Sequence, residues 1–126
     1  MYVLGQRSLK RLEGVHPDLA RIVKKAIQLT KVDFMVLEGR RTRRRQAYLV
    51  KKGASKTMNS RHISGHAVDL GALVKGKVSW DWKYYYSISD AMKSAAKELG
   101  IPVEWGGDWH TFKDAPHWQL PRSLYK

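Results

Sequence analysis

The sequence has no cysteine. That excludes disulfides, thiolate metal sites and cysteine nucleophiles, so any metal must be held by His, Asp or Glu. Acidic residues are scarce, 11 against 24 Lys and Arg, which leaves a formal net charge of +13. A field of that sign attracts polyanions, whether nucleic acid, anionic envelope polymers or acidic membranes, and says nothing about fold. No apolar run is long enough to span a bilayer, and the first ten residues are broken by Gly5, Gln6 and Arg7. Neither a membrane span nor a secretory signal is therefore expected. What is present is a globular balance, 43% hydrophobic and 28% charged, in 126 residues without repeat or linker. That length fits a single α+β domain over residues 1–126.

Helical spacing of Leu19, Ile22, Val23, Ala26, Ile27 and Leu29 predicts an amphipathic helix from Pro17 to Thr30, with Pro17 and Asp18 suited to its first turn. Val32 to Leu37 reads as a strand. Thr42 can cap a helix from Arg43 to Lys52 closed by Gly53, and Ala54 to Ser60 follows as a polar loop. Ala67 to Val74, a turn at Lys75-Gly76 and Lys77 to Trp80 suggest a hairpin. Asp81 can begin a long helix to Leu99, stopped by Gly100 and Pro102, after which Ile101 to Trp105 resumes as a strand.

Three constellations can carry chemistry. Around a glycine turn, His62 and Asp69 stand seven positions apart, both good ligands for a borderline metal such as zinc. Asp69 lies between Val68 and Leu70, and a carboxylate set into an apolar strand is costly unless paired or bound to metal. His66 is four residues from His62, but Ser64 and Gly65 interrupt the helix that this spacing would need. Further on, Asp114 precedes His117 by three residues. A carboxylate so placed can act on a metal-activated water without itself binding the metal. His110 is the competing imidazole, suited to substrate contact or to the surface. The third is Gly39-Arg40-Arg41-Thr42, a loop after a strand. An arginine there can stabilise a developing oxyanion, although the run Arg40 to Arg45 is equally that of a solvated face, and spacing alone does not choose among its members.

Together these motifs resemble the zinc peptidases that include D-alanyl-D-alanine carboxypeptidases, vancomycin-resistance D,D-dipeptidases and phage L-alanyl-D-glutamate endopeptidases. Ser60, His62, Gly65, Ala67 and Asp69 meet one family pattern, Asp114 and His117 a second, and Gly39, Arg41, Thr42 and Gln46 a third. The resemblance covers about Leu4 to Leu120. It implies that His62, Asp69 and His117 bind zinc, that Asp114 is the acid/base, and that Arg41 polarises the scissile carbonyl. Ser60 and Gln46, with His110, would support the site or touch substrate. The implied fold is an antiparallel sheet carrying the zinc site and flanked by helices, of the Hedgehog and D,D-peptidase type.

The segment Glu104 to Trp109 looks most like the phage endolysin branch. That branch implies cleavage of the L-Ala to D-Glu bond of peptidoglycan, by a monomer made in the host cytoplasm and acting on the wall once the membrane is breached. No separate wall-binding module is expected, so the positive charge is left to draw the enzyme to envelope polyanions. Two other readings stand beside this one: a terminal D-Ala carboxypeptidase, and a non-catalytic basic module binding wall or nucleic acid. The five tryptophans do not interleave with the arginine run as a stacking groove for single strands would require, which argues against specific nucleic-acid binding.

Overall fold

Alternation along one strand organises the molecule. In the computed structural model, which describes residues 1–55 and 57–126, strand β2 (Ala67–Val74) turns Val68, Leu70 and Ala72 into the core and Asp69 and Gly71 to the opposite face. On one side β2 pairs antiparallel with β1 (Phe34–Glu38). On the other it meets β3 (Lys77–Ser79) and β5 (His117–Gln119), and β4 (Glu104–Trp105) closes the path β1-β2-β5-β4.

Helix α2 (Pro17–Leu29) buries Leu19, Ile22, Val23, Ala26 and Ile27, the stripe its spacing predicts, and packs on α4 (Trp82–Leu99). Their shared apolar layer covers the core face of the sheet, with Phe34, Val36 and Trp118 beneath it. Helix α3 (Arg43–Lys51) is the helix expected after Thr42, whose side chain accepts the Arg45 N–H at 3.0 Å. Lys75 and Gly76 make the hairpin turn between β2 and β3, and Asp81 caps α4. The loop expected over Ala54 to Ser60 is coil and bend where described, and Lys56 lies outside the described residues.

Two expectations change. The strand predicted over Ile101 to Trp105 shortens to Glu104–Trp105, because the Ile101 N–H bonds back to the Ala96 carbonyl at the end of α4 and Pro102 has no N–H to give a ladder. A helix α1 (Gln6–Leu12), not predicted, lies against β1. Its Ser8 hydroxyl accepts the Val36 N–H at 2.9 Å, and Arg11 donates to the Val36 carbonyl at 3.0 Å. Among the described residues no helix is long and apolar enough to cross a membrane.

Candidate metal centre

The face of β2 turned away from the core carries the site. The register between β1 and β2 slips between Val36 and Glu38, so that Glu38 rather than Leu37 stands opposite Asp69. On the other side Asp69 pairs with His117. Residues directly opposite in antiparallel strands share a face. Glu38, Asp69 and His117 therefore form one row across three strands, and Glu104, opposite Gln119 on β5, extends the same face.

His62 arrives from the turn after Ser60, which is tied down from several directions. The Arg41 N–H donates to the His62 carbonyl at 2.8 Å, and the His62 N–H to the Ser60 hydroxyl at 3.2 Å. His62 Nδ1 lies 2.8 Å from the Gly39 carbonyl, which can only accept, so that nitrogen carries the proton. Gly39 is required there, since a side chain at that position would collide with the Arg11 carbonyl. The other nitrogen, Nε2, then turns its lone pair to Asp69, 3.3 Å from Oδ1.

His117 is oriented in the same manner from the opposite side. Gln119 donates its amide to Glu104 Oε1 at 3.0 Å, which leaves the Gln119 oxygen facing His117 Nε2 at 2.8 Å. Nε2 carries the proton, and Nδ1 faces Asp69 Oδ1 at 3.2 Å. Two imidazole nitrogens and a carboxylate oxygen thus converge, all within 4.8 Å of one another. Only positive charge between them, a proton or a metal cation, reconciles three electron-rich atoms at this distance. The set of two imidazoles and one carboxylate fits a borderline divalent cation with a position left open.

The electrostatics agree. Burial opposes ionisation of Asp69, but the imidazoles of His117 and His62 facing it, each able to share a proton with it, hold its carboxyl well below the usual range. Burial would lower the His117 pKa, yet the hydrogen bond and charge of Asp69 raise it above its ordinary value. Asp114 is pushed upward by burial and by the Asp69 charge, against the opposing pull of His117, His62 and Arg41. Its loop closes on the site because its N–H donates to the Gly106 carbonyl at 3.0 Å and the His117 N–H to its own carbonyl at 3.1 Å. Any side chain at Gly106 would strike the Asp114 carbonyl.

A cleft of about 400 Å³ opens over the row, with Arg41, Ser60, Asp69, Asp114 and Trp109 among the residues lining it. Arg41, 9% exposed, is clamped by Glu38 through Nε at 2.9 Å and Nη2 at 2.6 Å, and Nη2 lies 3.9 Å from Asp69 Oδ2. Gln46 is fully buried and does not line the cleft. Its oxygen accepts from Arg41 Nη1 at 2.7 Å while its amide holds Ser55 and the Thr57 carbonyl, so it supports Arg41 rather than meeting substrate. His110 is exposed and is not among the residues lining the cleft. His66 stays out of the donor set and packs instead near His16 and Tyr125.

Sequence reasoning missed Glu38, Gln119, Glu104 and Trp109, whose ring centroid is 5.2 Å from that of His117. Gln119 was within reach, since a residue two beyond His117 in a strand shares its face. Glu38 was not, because its facing depends on the slip in β1.

This donor set on the open face of an antiparallel sheet, with an arginine and a carboxylate at the same cleft, is that of a metallohydrolase. Residues 1–119 match the family model described as phage L-alanyl-D-glutamate peptidase, and the chain belongs to that family. It is 32% identical to the L-alanyl-D-glutamate peptidase of Escherichia phage T5 over 98% of this chain and 93% of that protein. It is 34% identical to the peptidoglycan L-alanyl-D-glutamate endopeptidase CwlK of Bacillus subtilis, covering 84% and 75%. The crystal structure of the Serratia marcescens L-Ala D-Glu endopeptidase ChiX matches with a TM-score of 0.92 and 48% identity over 98% of this chain and 93% of that one. The vancomycin-resistance D,D-dipeptidase VanXYg, at 17% identity and a TM-score of 0.56 over 84% and 50%, shares the fold.

Proposed function

We propose that this chain is a zinc-dependent endopeptidase that cleaves the L-Ala to D-Glu bond in the stem peptides of peptidoglycan. The observation that carries the reading is the convergence of His62 Nε2 and His117 Nδ1 on one oxygen of Asp69, each imidazole locked from behind by an acceptor. His62, Asp69 and His117 would hold the metal. Zinc bound there would supply Lewis acidity, polarising a carbonyl and easing the loss of a proton from water.

The remaining chemistry belongs to the protein. Asp114, in the cleft and not in the donor set, takes the proton of the attacking water and passes it to the leaving amine. Arg41 is held rigid by Glu38 and Gln46 and lines the cleft, where its guanidinium stabilises the oxyanion. The work is done at the cell wall.

Digestion of purified peptidoglycan followed by mass spectrometry tests the reading. A new N-terminal D-Glu is expected, and a released terminal D-Ala would reassign the bond. Asp114→Asn is expected to bind one zinc as tightly as the parent while turnover falls about 10²–10⁴-fold. Full turnover in that variant would remove Asp114 from the mechanism.

A further inference from the structure

Beside the cleft lies a second concavity of about 250 Å³. The two share a wall that includes Asn59, Arg61 and Arg122, and the second adds Arg43 and Lys126. Among the described residues, no acidic side chain lines it. Arg61 is 6% exposed, gives Nη2 to the carbonyls of Leu120 at 3.0 Å and Tyr125 at 2.7 Å, and leaves its buried Nε without a hydrogen-bond partner among the described residues. Burial and the nearby Arg122 charge press its pKa below the ordinary value, with Glu104 acting weakly the other way.

Arg122 differs from the other cleft arginines. Arg41 is neutralised by Glu38 and Arg61 is buried against carbonyls, whereas Arg122 is exposed and makes no ion pair among the described residues. Its side-chain hydrogen bonds among the described residues go to Asn59, through Nη2 to the carbonyl at 2.6 Å and Nη1 to Oδ1 at 3.4 Å. Cations gathered without counter-ions repel one another, and the arrangement becomes favourable when a ligand brings negative charge.

We propose that Arg122, backed by Arg43 and Lys126, receives the free carboxylate on the D-Glu side of the scissile bond. The proposal rests on the peptidase reading above. Glutamate has two carboxyl groups. When one continues the peptide, the other stays free within a few bonds of the amine that cleavage releases. The alanyl side offers only a methyl group, so the acid is the charged handle by which a site can recognise the residue on the amine side of this bond. A guanidinium presents a planar fork matched to a carboxylate, and the surrounding positive charge raises its hold.

Two synthetic stem peptides that differ only in whether this carboxyl is an acid or a primary amide provide the test. The parent enzyme should favour the acid by about tenfold to a hundredfold in kcat/KM. Arg122→Gln should reduce that preference to about threefold or less, chiefly through KM for the acid. Arg122→Lys, which keeps the charge and loses the fork, should fall between. If Arg122 merely pins the Asn59 loop, both peptides suffer alike and the preference survives, which overturns the inference. An absence of preference in the parent does the same. A zinc-loaded parent that cleaves neither peptide refutes the peptidase reading itself, and the inference with it.

Discussion

Asp69 is flanked across the sheet by Glu38 and His117, and its two neighbours play opposite parts. His117 offers a lone pair, while Glu38 brings in the cation Arg41. Glu38 is held below the ordinary carboxylate pKa: burial works against its charge, but the hydrogen bonds and charge of Arg41 outweigh it. A depressed folded pKa contributes stability that is present above the unfolded pKa and lost as pH falls through the folded one. Glu38→Gln should therefore cost about 1–3 kcal/mol near pH 7, by removing the charged partner of a nearly buried guanidinium. The gap to the parent should close as acid protonates Glu38. Urea unfolding at a series of pH values checks both, and a pH-independent gap would mean that shape, not charge, is lost. His62, Asp69, His117 and Asp114, which the structure brings to one cleft, could be singled out as candidates from their chemistry, their spacing and the family resemblance. Glu38 and Glu104 were not, since each owes its place to cross-strand register, and register is a property of two segments at once.

At the scale of elements, α3 is the conspicuous risk. Arg43, Arg44 and Arg45 occupy its first turn with no acidic residue among them, where the helix dipole disfavours positive charge. The Thr42 cap offsets this, and the buried Gln46 on the same helix carries the support of Arg41. Thr42→Ala should lower stability by about 1 kcal/mol and depress turnover without loss of metal, measured by thermal melts and by metal titration. Unchanged stability would show that the helix is held by its packing alone. Helices α2, α3 and α4 could be read because each has periodicity, a cap or both. Helix α1 could not: it buries only Ser8 and Leu12, and its anchoring to the Val36 backbone comes from a strand more than twenty residues away. The short β4 was over-read because Ile101 and Val103 have strand character, whereas Pro102 and the end of α4 take away the ladder.

For the whole molecule, a net charge of +13 acts at a range no single contact reaches. Screening shortens that range from about 10 Å at 0.1 M salt to about 3 Å at 1 M. Cleavage of intact walls, which are polyanionic, should therefore fall several-fold over that interval, and cleavage of a small soluble stem peptide should fall less. Equal salt sensitivity on the two substrates would remove the charge from any part in targeting. The sequence announced this field through its composition but not its placement, because where Arg43, Arg122 and Lys126 meet depends on bringing α3 and the chain's last residues to one wall.

The packing of Trp109 against His117 means that the centre carries its own optical probe. An indole 5.2 Å from an imidazole is quenched when that imidazole becomes a cation, and a ligated imidazole is kept from becoming one. Trp109 is one of five tryptophans, so metal binding at His117 is expected to change its share of the total emission, with no label attached and no cysteine needed to attach one.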